Sequence, residues 1–190
     1  MRYVGEIVRK SVHFSSLLIP IGLYLLPLSV SRPVLLISTV GILLADVVRL
    51  HEPRIRTLFY FLFGRILRDH ERFNLLGSTY LLISSLLCIY AFPKAIAVLS
   101  LSFLVVGDTL AALVGRRWGR VRILDKSLEG SLACLLSCLL VGWLYPGHEV
   151  PMHVVAVGAF VATVAELLPI PLDDNMRIPL AAGFAMTLFL

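Results

Sequence analysis

The chain has 190 residues, 58% of them hydrophobic and only 15% charged, with a net charge of +5. That balance excludes an ordinary soluble domain, in which about 25% of residues are charged, and points to an integral membrane protein. The excess of cations is no sign of nucleic-acid binding, because Lys and Arg gather in the segments between apolar runs.

At roughly twenty apolar residues per bilayer crossing, spans are predicted in chain order near 11–28, 33–50, 75–92, 95–114, 131–146, 151–168 and 177–190. The first follows Arg2, Arg9 and Lys10 as a signal peptide would, but it lacks a small-residue cleavage site and reads as a retained anchor. The last is short, so it must tilt little, thin the bilayer or begin earlier. Prolines mark the joints at Pro27, Pro33, Pro93, Pro146, Pro151, Pro169 and Pro171. Between the second and third spans, residues 54–72 put Arg54, Arg65, Arg68 and Arg72 on one helical side and Ile55, Phe59, Phe63 and Ile66 on another. That pattern suits an amphipathic helix lying in the headgroup plane. The expected fold is all-α: a polytopic membrane bundle of seven transmembrane helices plus one cytoplasmic interfacial helix, forming a single domain over 1–190. Cys88, Cys134 and Cys138 fall inside apolar runs without zinc spacing and read as buried free thiols.

With the N-terminus in the cytoplasm, every Lys and Arg except Arg32 and Lys94 lies on that side, a strong positive-inside bias. The carboxylates are equally one-sided, with Glu149 alone opposite. Topology rules do not require this of acids. Something at the cytoplasmic face needs both signs.

Asp46, Asp108 and Glu166 each sit in or near the cytoplasmic end of an even-numbered span, so they can converge. A charge in hydrocarbon costs on the order of 3 kcal/mol or more unless it is compensated. Asp173-Asp174-Asn175 opens the last span, where two acids can cap a helix or join Asp108 as hard oxygen ligands for magnesium. Facing these are Arg9 and Lys10, then Arg116, Arg117, Arg120 and Arg122, then Lys126, with Gly115, Gly119 and Gly130 interleaved. Glycine allows close backbone approach to an anion. The pattern is not a GxxxxGK[ST] P-loop. His13 stands three residues after Lys10, either interfacial or aimed into the site.

Taken together, these residues resemble the CTP-dependent lipid-alcohol kinases: dolichol, phytol and farnesol kinases and a diacylglycerol kinase of the same type. The resemblance runs from Arg9-Lys10-x-x-His13 through Gly77-Ser78-Thr79-Tyr80 and Gly107-Asp108-x-x-Ala111-x-x-x-Gly115-Arg116-x-x-Gly119. It continues through Lys126-Ser127-x-Glu129-Gly130-Ser131 to Glu166 and Asp173-Asp174-Asn175, with Met176 where Leu is expected.

The resemblance implies transfer of the γ-phosphate of CTP to a membrane lipid alcohol such as dolichol, phytol or geranylgeraniol, with Mg2+ as cofactor. Arg9, Lys10, Gly115, Arg116, Gly119, Lys126, Ser127, Glu129, Gly130 and Asn175 are the expected nucleotide contacts. Asp108, Asp173, Asp174 and Glu166 are the expected metal ligands. Asp108, and after it His13, would act on the acceptor hydroxyl, although a metal-bound Asp108 is a poor base. The expected partners are CTP, the lipid alcohol and the bilayer, with no nucleic acid and with a homodimer left open. Two other readings compete. A cytidylyltransferase would use the same constellation to make a CDP-lipid, and a small transporter would use Asp46, Asp108 and Glu166 as an ion path.

Overall fold

A computed structural model of the chain describes residues 3–64, 67, 69–146 and 149–190. The described chain is helical apart from one two-stranded hairpin. The run predicted as a single span over 11–28 is two helices, α1 (Tyr3–Ser15) and α2 (Leu18–Leu25). Pro20 explains the break: a proline ring collides with the carbonyl four residues back, here that of Ser16. The chain turns there through short-range bonds, Ser16 N–H to His13 O and Ile19 N–H to Ser16 O.

Helix α3 (Leu28–His51) follows Pro27, and α4 (Pro53–Phe63) opens on Pro53, whose missing N–H has no partner to lose at a first helical position. The interfacial helix is therefore shorter than the sequence suggests. It stops at Phe63, Arg65, Ile66 and Arg68 lie outside the described residues, and Arg72 belongs to a separate 3-10 turn (Asp69–Arg72). There the Arg72 guanidinium stacks over Tyr60 of α4 at 5.1 Å.

Next come α5 (Gly77–Ala91) and then α6 (Lys94–Ser102), which runs through a π-helical turn (Phe103–Gly107) directly into α7 (Asp108–Trp118). This composite rod is the centre of the molecule, with Ile96, Leu99, Phe103 and Leu104 fully buried. The π turn inserts one residue and rotates α7 by roughly 100° relative to an unbroken helix. Gly107 makes that turn fit: a β-carbon there would sit 2.9 Å from both the Cys134 and the Cys138 sulfur.

Strands β1 (Arg122–Ile123) and β2 (Lys126–Ser127) pair antiparallel around Leu124, which adopts a left-handed backbone. Helices α8 (Leu128–Leu144), α9 (Met152–Leu167) and α10 (Asp174–Phe189) complete the bundle. Small residues let them touch: a β-carbon on Gly142 would lie 2.1 Å from Val155, and one on Gly158 2.5 Å from Met186.

Leu28–His51 and Lys94–Trp118 are long and apolar enough to cross a membrane, whereas α5, α8 and α9 are apolar but shorter. The last helix begins at Asp174 rather than 177, which lengthens the short run. Large apolar side chains cover the outside, with Leu25, Ile37 and Phe61 71%, 73% and 85% exposed. That surface belongs in hydrocarbon rather than water, and the chain is a membrane protein.

Candidate active site

Two cavities meet at one buried ion pair. Lys10, from α1, donates to the Asp108 carboxylate at the start of α7 and, at 3.2 Å, to the Asp108 carbonyl. His13 lies one turn further along α1, with Nε2 3.5 Å from the same carboxylate oxygen. Arg9, Lys10 and Asp108 line both cavities, so they form the shared wall.

The first cavity, about 500 Å3, is polar. Its cations are Arg9, Lys10, Arg116, Arg122 and Lys126, and its carboxylates are Asp108, Asp125, Glu166 and Asp174. Nearly balanced charge of both signs does not suit a bare anion. It suits a polyphosphate that arrives with a divalent cation.

The hairpin aims Lys126 into this space. Lys126 donates to Glu166 Oε1 at 2.6 Å and to the Glu166 carbonyl, and stands 3.7 Å from Asp174 Oδ2. Asp174 in turn accepts from Arg177. Asp108, Glu166 and Asp174 thus each hold a protein cation, which an incoming metal ion can displace and an incoming phosphate can draw to itself.

Glycine works here by close approach rather than by lining alone. Gly115 and Gly130 do line the cavity, but a β-carbon on Gly130 would lie 2.7 Å from the Ala111 carbonyl, and one on Gly115 2.8 Å from Ser127 Oγ. These glycines let α7, the hairpin and the start of α8 close on each other. Ser127 lines the cavity and caps α8, accepting from Gly130 N–H at 3.2 Å.

Four of the predicted nucleotide and metal contacts stand off this cavity. Gly119 packs against Ser127, where a β-carbon would lie 2.7 Å from Oγ. The Glu129 carboxylate accepts from Arg120 N–H at 2.9 Å and Val121 N–H at 3.2 Å, bracing the loop before the hairpin. Those donors, that of Arg120 first, hold its carboxyl below the usual carboxylate range. Asp173 accepts from the backbone and side-chain N–H groups of Asn175 and caps α10. Asn175 itself lines the second cavity, not the first.

Among the described residues no three His, Cys, Asp or Glu side chains form a metal cage. The predicted set of four carboxylates is therefore not assembled as one ligand shell. The site nevertheless fits Mg2+, which commonly takes one or two carboxylates and completes its shell with substrate phosphates. Among the described residues Glu166 Oε2, which is buried, has no hydrogen-bond partner, and it is a hard oxygen donor on the same Lys126 as Asp174.

Asp46 does not converge with Asp108 and Glu166. Its carboxylate accepts from Arg49 Nε at 2.6 Å, Leu76 N–H at 2.7 Å and Thr79 Oγ1 at 2.8 Å. Arg49 also donates to the Glu71 and Asn74 carbonyls. This buried knot pins α3 to the loop before α5, and Asp46 and Arg49 line neither cavity, which removes one member of the ion path that a transporter would need.

The second cavity, about 350 Å3, is mainly apolar, with Phe59 and Phe63 of α4 facing Leu76 and Leu81. Its lining residue Glu71, like Asp125 in the first cavity, is not singled out by the sequence. Asp125 could have been flagged as the turn residue before Lys126. Glu71 carries no such signal.

The chain is similar to CTP-dependent diacylglycerol kinases. It is 30% identical to that of Eremothecium gossypii, covering 95% of this chain and 66% of the relative, and 29% identical to that of Schizosaccharomyces pombe, covering 97% and 94%. It is also 36% identical to a probable chloroplastic phytol kinase of Glycine max, covering 61% of this chain and 45% of the relative. No family model matches the chain, and no solved structure does. Similarity at this level over nearly the whole chain shows that the chain belongs to the CTP-dependent lipid kinases.

Proposed function

We propose that this protein transfers the terminal phosphate of CTP to the hydroxyl of a membrane lipid alcohol such as phytol, geranylgeraniol, dolichol or diacylglycerol. One observation carries the reading: Asp108 stands in the wall between a polar cavity lined with cations and an apolar one.

CTP occupies the polar cavity, its phosphates drawing Lys126, Arg116 and Arg9 away from protein partners. Glu166 and Asp174 would hold Mg2+, which when bound would neutralise charge on the phosphate oxygens. Asp108 is kept for the acceptor, because it alone of these acids reaches both cavities. The lipid oxygen forms a bond to the γ-phosphorus as the bond from that phosphorus to the β–γ bridging oxygen breaks. CDP leaves, and the hydroxyl proton passes to the Asp108 carboxylate. Lys10 and His13 orient that carboxylate. Phosphoryl transfer depends mostly on such positioning and charge neutralisation.

The chain crosses the membrane several times, with its N-terminus and this site at the cytoplasmic face. The one-sided cations support that orientation. A thermal-shift titration tests the nucleotide assignment: Mg-CTP should raise the melting midpoint and Mg-ATP should do so less. Silence across all nucleotides would end the kinase reading.

A further inference from the structure

The apolar cavity is built unlike its neighbour. Lys10, His13 and Asp108 line part of it and Glu71, Ser78 and Asn175 another part, but hydrocarbon supplies most of the exposed wall, from Val12, Phe59, Phe63, Leu67, Leu76 and Leu81. A ligand with one polar end and a long apolar body matches that division. A nucleotide does not.

Helix α4 forms one side of the cavity in a particular way. Phe59 and Phe63 are four residues apart, so they share a helical face, and their ring centres are 4.9 Å apart. The Arg49 guanidinium, held in the Asp46 knot, lies 5.4 Å from the centre of the Phe59 ring. Phe61, on the opposite face, and Leu58 and Leu62 on the flanks point outward, 85%, 59% and 60% exposed, and Phe63 itself is 44% exposed. Helix α4 packs chiefly on α3. Helix α4 therefore lies between the hydrocarbon outside and the apolar space beside Asp108.

We propose that this cavity holds the hydrocarbon part of the acceptor nearest its hydroxyl, and that Phe59 and Phe63 determine which lipid alcohols it admits. This rests on the reading of the polar cavity as the CTP site. The chemistry recognised is a hydroxyl on an apolar body, which a prenol such as phytol and a diacylglycerol both supply.

The direct test is photo-crosslinking of the full-length protein in detergent with a diazirine-bearing phytol analogue, without nucleotide. Adducts are expected at Phe59 and at the buried Leu81, and excess phytol or excess diacylglycerol should displace them; which one does so identifies the source. Labelling confined to outward positions such as Leu25 and Ile37, or labelling that neither lipid displaces, would overturn the assignment. Crosslinking needs no turnover. Saturable labelling without any response to Mg-CTP would sink the kinase reading and leave the cavity assignment standing, and the reverse result would do the opposite.

The second arm reads selectivity. Phe59→Ala with Phe63→Ala should change the ratio of kcat/KM between phytol and diacylglycerol by about tenfold, the scale of a reshaped apolar pocket, while the KM for CTP stays within about twofold of the unaltered protein. An unchanged ratio, or a CTP KM that moves as far as the lipid terms, contradicts the role given to α4.

Discussion

Lys10 and Asp108 are 98 residues apart in the chain and meet as a buried ion pair in the wall between the two cavities. Removing one partner strands the other in a dry site, at a cost of about 3–5 kcal/mol.

Asp108→Asn should lower lipid phosphorylation by about 10²–10⁴-fold, the usual contribution of a positioned general base. It should also lower the melting midpoint, because Lys10 loses its counter-charge. Adding Lys10→Met should recover the midpoint without recovering activity. Recovery of both would mean that Asp108 serves stability alone.

Lys126 bridges Glu166 and Asp174 and is the cation best placed to change partners when phosphate arrives. Lys126→Ala should raise the KM for CTP by about 10–100-fold, corresponding to about 1.5–3 kcal/mol for a hydrogen bond to a charged group. The KM for the lipid should move little, which initial-rate kinetics at varied CTP and varied lipid would separate.

Metal removal should abolish turnover, and Mg2+ should restore it. Glu166→Gln should raise the Mg2+ concentration giving half-maximal activity, because it removes the charge of a cavity-lining carboxylate whose buried Oε2 has no hydrogen-bond partner among the described residues. An Mg2+ titration of the two proteins provides the check. Superimposed curves would exclude Glu166 from metal binding.

The Asp46–Arg49 knot should behave as structure. Arg49→Met leaves Asp46 buried without its cation and frees the loop carbonyls of Glu71 and Asn74. A loss of about 3–5 kcal/mol is expected, seen as a lower melting midpoint. The fraction that remains folded should keep its KM for CTP.

How far the site can be read from the chain depends on the cost of each residue. Lys10, Asp108, Lys126, Glu166 and Asp174 stand out because charge in or beside an apolar run needs compensation, and these five do line the polar cavity. Glu71 and Asp125 sit in polar segments, where an acid looks like any solvated acid. Asp46 is equally costly in sequence terms, yet its compensation is Arg49 three residues away, and only the folded chain separates an internal knot from a site.

The fold divides in the same way. Apolar length marks the helices, but an uninterrupted apolar run conceals the break at Ser16, even though Pro20 is the cause. Residues 103–107 carry no pattern that distinguishes a π turn from ordinary helix, and that turn determines which way Asp108 faces. Phe59 and Phe63 read in the chain as the apolar side of an interfacial helix, and only the folded chain sets them around one cavity with residues of α1 and α5. Gly115 and Gly130 suggest a phosphate cradle by spacing, while the structure also uses them to bring α7 and α8 together.

Phosphoryl transfer from CTP to a lipid hydroxyl is read out by its products. Purified protein with CTP labelled in its γ-phosphate, Mg2+ and a panel of phytol, geranylgeraniol, dolichol and diacylglycerol should yield a labelled lipid monophosphate and unlabelled CDP, and Asp108→Asn should yield neither. A CDP-lipid with release of pyrophosphate, or no labelled lipid from any acceptor, would contradict it.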